Sequence, residues 1–259
     1  MDPVAHFAEL VTLPEEDLDL GEAALAIARG GDPGLDPARW LGELDDLAAG
    51  LASLDDLTHR LFQEVGFRGN RSNYYDPQNS FLHRVIERRL GIPISLSVLT
   101  IEVGRRAGIE LEGVGMPGHF LVRVTSTGIY LDPFNGAGAL DEGGCEALFR
   151  AVVGAGPEIP FGPHLLETAG KHEILARMLI NLRSIYRGQG SGRHLEWTVR
   201  MGMALPQAPP ELVLELGEAL EMQGKILEAA REMEERSEAH PELSETLRTA
   251  ARGLRARLN

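Results

Sequence analysis

The apolar positions of this chain follow two periods. Toward both ends they recur every three to four residues, the spacing of amphipathic helices. Ala5 to Glu15 and Leu18 to Arg29 read as two short helices, the second with a small-residue apolar face of Ala23, Ala24, Leu25, Ile27 and Ala28. Asp36-Pro37 supplies an N-cap and a first helical residue for a third, which runs to about Ala49 with Leu41, Leu44, Leu47 and Ala48 as its stripe. Leu54 to Val65, ending at Gly66, and Phe81 to Leu90 predict two more. The next helix opens at Pro93 and closes before Gly108. Ile94, Val98 and Ile101, together with Leu96, Leu99 and Val103, make it apolar over most of its girth, which predicts a central, buried position.

The period then shortens to two. Phe120 to Val124 and Ile129 to Asp132 flank the turn residues Ser126-Thr127-Gly128 and predict a β-hairpin. With Val124 opposite Ile129, Val122 falls opposite Leu131, and that face is wholly apolar. The other face carries Leu121, Arg123, Tyr130 and Asp132, with His119 two residues beyond Leu121. A slip of one residue would mix the faces, so this register is favoured. It makes His119 and Asp132 diagonal cross-strand neighbours, within about 4 Å or bridged by one water.

From about Lys171 the pattern is helical only, starting with a stripe of Leu175, Met178, Leu179 and Leu182. Gln189-Gly190 and Gln223-Gly224 stand 34 residues apart. Each precedes a helix, Leu195–Leu205 and Leu227–Ser237, that ends near a proline, Pro206 and Pro241. That helix–turn–helix period is the one tetratricopeptide repeats use, and Ala219 and Ala230 fall where paired helices need small residues. The Gly/Pro-rich run from Gly154 to Pro163 predicts a boundary between residues 1–163 and residues 164–259. The expected class is α+β: a helical N-terminal region, a core of central helix and antiparallel sheet, and an all-α C-terminal region.

Composition narrows the function. A net charge of −14 over 259 residues opposes nonspecific binding to nucleic acid or to anionic membranes, both of which need basic surface. No apolar run approaches the length of a membrane span. Met1-Asp2-Pro3-Val4-Ala5-His6 lacks the basic start and apolar core of a signal peptide. The single cysteine rules out an intrachain disulfide and suits a reducing compartment, so a cytoplasmic location is expected.

Candidate chemistry gathers at the central helix and the hairpin. Ser95 and Ser97 lie in the first turn of the helix, where the N-terminal dipole favours a group that becomes an anion. With His119 as base and Asp132 as its orienter, Ser95–His119–Asp132 forms a candidate catalytic triad. The polar loop from Asn70 to Ser80 holds two of the four tyrosines. From it Tyr75 and Asn79, with Ser97, are candidate binding residues. The same loop also reads as a connection capped by its own Asn and Asp side chains.

Other motifs carry less. Gly113 to Gly118 matches G-x-G-x-x-G, but Pro117 and a β-patterned run follow where a dinucleotide loop would open a helix, so no cofactor is expected. Cys145 lies among carboxylates, which raise a thiol pKa, and its use reads as structural or incidental. The histidines have no H-E-x-x-H spacing, and no metal site is expected.

Four motifs in order resemble one family: Gly66-Phe67-Arg68-Gly69-Asn70, Asn73 through Ser80, Gly91-Ile92-Pro93-Ile94-Ser95-Leu96-Ser97, and Gly113 through Phe120. It is the SirB-type family of bacterial proteins, which joins a transglutaminase-like domain to tetratricopeptide-like helices. The likeness runs from the Ala23 helix to about Pro241. The wider superfamily resembles papain, with a Cys opening a central helix and His and Asp following on adjacent strands. The resemblance therefore implies a papain/transglutaminase-like core in which His119 matches the His and Asp132 the Asp. The Cys is not matched, because the helix opens with Pro93, Ile94 and Ser95. What this implies is a protein-binding or regulatory protein on a degenerate transglutaminase-like fold. Its protein or peptide partner would engage the cleft or the C-terminal helices. The alternative is a Ser-His-Asp hydrolase or acyltransferase acting on a peptide, amide or ester.

Overall fold

The computed structural model describes residues 2–154, 156 and 158–257. It opens with α1 (Pro3–Leu10), α2 (Leu20–Gly31) and α3 (Pro37–Ala48). Asp2, Asp19 and Asp36 cap these helices by accepting from the backbone N–H groups of Ala5, Glu22 and Ala38. Caps of this kind stabilise a helix by about 1 kcal/mol each. α4 (Leu54–Thr58) continues as a π-helical segment, His59–Glu64. Next come β1 (Arg68–Gly69), α5 (Leu82–Arg88) and β2 (Leu90–Gly91), and β1 pairs with β2 in parallel.

α6 (Pro93–Arg106) is the axis of the fold, with every residue from Pro93 to Gly104 buried. Such a helix has no solvent face, which explains its nearly continuous apolar sequence. Ser95, Ser97, Thr100 and Glu102 are its buried polar residues, and Arg105 and Arg106 pair with Glu102. Gly108 ends the helical path at φ +73°, a conformation that costs glycine little.

Five strands follow, β3 (Leu111–Val114), β4 (Leu121–Val124), β5 (Tyr130–Asp132), β6 (Gly138–Leu140) and, after α7 (Glu142–Val153), β7 (Thr168–Ala169). They form one antiparallel sheet in the order β6-β5-β4-β3-β7. Val122 is opposite Leu131, and Val124 N–H donates to Ile129 C=O, which is the register the alternation predicts. Val122, Val124 and Leu131 join the main core around α6. Leu121 and Tyr130 face the other way and pack with Cys145 and Phe149 of α7.

The hydrophobic pattern does not reveal β3, β6, β7 or α7. β3 is four residues long and includes Gly113, and its strand character comes from pairing with β4 along its whole length. α7 begins Glu142-Gly143-Gly144, a weak helix start. The Asp141 side chain, accepting from Gly144 N–H, and burial of Cys145 and Phe149 against the sheet supply what propensity lacks. The G-x-G-x-x-G run joins β3 to β4 and opens no helix.

The remaining elements are α8 (Lys171–Gly188), α9 (Gly192–Ala204), α10 (Leu212–Met222), α11 (Ile226–Ala239) and α12 (Ser244–Ala256). No strand occurs among the described residues after Lys171. Two turns share a pair of backbone hydrogen bonds. Gly190 N–H donates to Arg187 C=O and Ser191 N–H to Tyr186 C=O, while 34 residues later Gly224 N–H donates to Glu221 C=O and Lys225 N–H to Leu220 C=O. Both glycines have positive φ, +64° and +75°. The helical region shares the main core: Ile174, Leu175, Met178, Leu179 and Leu182 of α8 pack in the cluster that holds α2 and α6.

Candidate functional site

The turn before β4 and the end of β5 bring His119 and Asp132 together. The Nε2 of His119 lies 2.9 Å from Oδ1 of Asp132, and the two residues are only 5% and 4% exposed. Burial would raise the Asp132 carboxyl pKa, but hydrogen bonds from the His119 ring and from Asn135 hold it below its ordinary range. It is therefore an anion at neutral pH, and Nε2 carries the donated proton. Asn135 reaches Asp132 twice, through its backbone N–H and its side-chain amide. Asp132 thereby caps the short 3-10 turn Pro133–Asn135.

Aromatic and cationic groups enclose the pair. The Phe134 ring meets the His119 ring edge-on at 5.9 Å and the Tyr74 ring at 6.1 Å. A Cβ on Gly69 of β1 would stand 2.5 Å from the Phe134 ring, so only glycine lets that ring lie there. Arg71 lies over the same ring and hydrogen-bonds the Asn135 side chain. From α8, Arg177 donates to the carbonyls of Met116 and His119 at 3.3 and 3.2 Å and lies over the Phe120 ring. Burial pulls its guanidinium below its ordinary pKa. Nothing in the hydrophobic pattern points to Arg177, because its partners are backbone carbonyls 58 and 61 residues away. Phe134 and Asn135 were within reach of sequence reasoning, since they adjoin Asp132-Pro133.

The hydroxyls expected beside His119 are engaged elsewhere. Ser95 is fully buried, and its Oγ lies 2.6 Å from the Asn79 carbonyl, to which it donates. The same oxygen accepts from Ile92 N–H at 3.1 Å. That is half of a capping box, formed by the third helical residue reaching back to the N-cap. Ser97, also fully buried, points its hydroxyl at the Phe120 carbonyl at 3.4 Å. Among the described residues, no hydrogen bond joins either serine to the His119 ring. His119 and Asp132 are bonded to each other, while the hydrogen bonds of Ser95 run to the helix cap and the Asn79 carbonyl.

Asn79 is fully buried as well and clamps its loop. Its side chain accepts from Asn70 and donates to the carbonyls of Asn73 and Tyr74. This is the self-capped connection that the loop's Asn and Asp content allows. Tyr75 is 71% exposed and stacks edge-on against Tyr74. Of the three candidate binding residues, Tyr75 alone meets solvent.

Cys145 is buried against the sheet, and burial first, then Asp141, Asp132 and Glu142, push its thiol up to about 11. Among the described residues no three His, Cys, Asp or Glu side chains converge to hold a metal ion. Nor is any helix among them long and apolar enough to cross a membrane.

A family model described as the transglutaminase-like superfamily matches residues 38–180, from α3 into α8. A UPF0162 protein of Xylella fastidiosa (strain Temecula1) is 40% identical over 191 residues, covering 68% of each chain. Protein SirB1 of Salmonella typhimurium is 27% identical over 172 residues, covering 65% of this chain and 62% of its own. The chain belongs to the SirB-type family of transglutaminase-like proteins. This SirB-type core is also similar to part of a much longer protein. F-box only protein 21 of Mus musculus is 34% identical over 147 residues, which are 53% of this chain and 22% of that one. No solved structure matches the chain.

Proposed function

We propose that this protein is a binding or regulatory protein on a degenerate transglutaminase-like core. The observation that carries the reading is the Ser95 hydroxyl, which is buried and committed to Asn79 and Ile92. A serine nucleophile needs a base within hydrogen-bond reach, and the His119 ring does not bond to Ser95. Recurrence of the core as a 22% segment of a longer protein also fits a module that serves by being bound.

In this reading His119 and Asp132 retain the geometry of base and orienter but work as a lock. They tie the start of β4 to the end of β5 and hold the turn of Phe134, on whose ring Tyr74 of the Asn70–Ser80 loop packs. Exposed Tyr75 is the contact residue, while Asn79, Ser95 and Ser97 are scaffold. Residues 1–163 carry this surface. Residues 164–259 form tetratricopeptide-like hairpins that add a docking surface. The single cysteine supports a cytoplasmic setting.

A photo-crosslinker at position 75, used in a bacterial lysate, tests the reading. A discrete protein adduct, lost when excess unlabelled protein is added, is expected. Turnover of an activated ester that disappears in both Ser95→Ala and His119→Ala would install the hydrolase or acyltransferase instead.

A further inference from the structure

The stretch from Gly66 to Gly91 reverses the charge of the rest of the chain. It holds five arginines against two carboxylates, Asp76 and Glu87, in a protein whose net charge is −14. Two of the arginines are neutralised. Arg88 pairs with Asp76 at 2.9 Å, and Arg84 pairs with Glu87 and Asp32. Arg68, Arg71 and Arg89 remain. All three are exposed, and none pairs with a carboxylate among the described residues.

The fold brings these three cations together. Arg68 N–H donates to Arg89 C=O at 3.1 Å where β1 and β2 pair, so the two residues are neighbours. Arg89 closes α5 at φ +57°, a place where glycine is usual, so a cation is held there against the backbone's preference. Arg71 follows shortly after β1. Its guanidinium lies 5.0 Å from the centre of the Phe134 ring and donates to the Asn135 side chain, a neutral partner. The carboxylate nearest that turn, Asp132, is buried and already bonded to His119 and Asn135. The patch therefore presents its positive charge to solvent.

An aromatic shelf adjoins it. Tyr74 packs on the same Phe134 ring as Arg71, and Tyr75 packs on Tyr74. Among the described residues, Tyr75 is the most exposed of the large apolar side chains.

We infer that this surface binds an acidic segment of a partner protein, with carboxylates on Arg68, Arg71 and Arg89 and an apolar side chain on Tyr75. The inference rests on the binding reading and names the chemistry of the partner. Charge complementarity selects the occupant. Guanidinium groups without a carboxylate of their own offer paired donors to one from outside. The rest of the chain selects against a longer polyanion. It is strongly acidic, so it repels nucleic acid or an anionic membrane, which would extend past three charges. A short acidic segment touches the patch alone.

Fluorescence anisotropy with two labelled, end-blocked peptides tests this: Glu-Glu-Leu-Glu-Phe-Glu, and its counterpart with every Glu replaced by Gln. The acidic peptide should bind saturably, about tenfold more tightly than the Gln peptide, and lose affinity as salt is raised. The paired variant Arg68→Glu with Arg71→Glu should weaken it about tenfold. Arg248→Glu with Arg252→Glu, on α12, makes the same change in net charge and should leave binding as it was. All four positions are exposed, so both variants should fold. Tyr75→Ser should weaken the acidic peptide at every salt concentration, and a single-stranded oligonucleotide should not displace it.

The inference is overturned if the acidic peptide does not bind saturably, or if the Gln peptide binds as well. Equal losses in the two paired variants, no effect of Tyr75→Ser, or displacement by the oligonucleotide overturn it too. So does a wild-type oligomer that the Arg68 and Arg71 changes dissociate, since the occupant would then be a second copy. These failures would leave the broader binding reading standing, because that reading falls only to chemistry at Ser95.

Discussion

The Ser95 hydroxyl donates to the Asn79 carbonyl at 2.6 Å, joining the first turn of the central helix to the loop that precedes α5. It also fills the N-cap, where Ile92 has no polar side chain to do so. Gly91 is part of the same fit, because a Cβ there would stand 2.8 Å from Ser95 Oγ. Ser95→Ala leaves the Asn79 carbonyl and the Ile92 N–H unpaired in the interior. It should cost about 1–3 kcal/mol, read as a lower urea midpoint at unchanged slope. A midpoint equal to that of the wild type would mean that the bond carries no structural load.

His83 gives the fold a pH dependence. Its ring is buried between Trp40 and Phe81 with neither nitrogen hydrogen-bonded, although Asp32 lies 3.5 Å away. Burial, aided by Arg84, drives its pKa down to about 4. The neutral ring is therefore favoured in the folded state. Its contribution is complete above the unfolded value of about 6.5 and is lost as pH falls toward 4. The loss should reach about 3 kcal/mol. His83→Phe should flatten that part of the stability curve, measured by urea unfolding at several pH values. Asp132, whose pKa is held down, contributes in a lower window and loses its contribution only below the ordinary carboxylate range.

Cys145 should stay unmodified by iodoacetamide at pH 8 in the folded protein and react only on unfolding. Burial and three carboxylates keep the thiol protonated. Its neighbours Val114, Met116 and Tyr130 form an apolar cluster, so serine does not substitute neutrally. Cys145→Ser buries a hydroxyl there and should cost more stability than Cys145→Ala, as thermal unfolding of the two variants would reveal.

The two C-terminal turns predict matched responses. Gly190 and Gly224 have positive φ and open space where a Cβ would stand, so alanine meets backbone strain alone. Each substitution should cost about 1–2 kcal/mol and the two should agree closely. Unequal losses in thermal unfolding would break the equivalence of the hairpins.

The hairpin and its face assignment were legible because alternation leaves one workable register, with Val122 opposite Leu131. The central helix was legible from Pro93, Gly108 and the apolar residues between them. The 34-residue spacing of Gly190 and Gly224 carried through to two matching backbone hydrogen bonds. α7 was not legible, since Gly143 and Gly144 weaken a helix that the sheet then stabilises. Nor could the sequence tell how Ser95 would be used. A serine at a helix start serves equally as nucleophile or cap, and the approach of the Asn79 carbonyl is not contained in the local sequence. Arg177 escaped because its role depends on what α8 packs against, which no local pattern contains.

The central claim is that the Ser95 hydroxyl belongs to the fold and not to His119. Fluorophosphonate treatment of the intact protein, followed by mass spectrometry of its peptides, tests this most directly. The account predicts no adduct at Ser95 in the wild-type protein or in His119→Ala. Stoichiometric labelling of Ser95 that disappears in His119→Ala would contradict it.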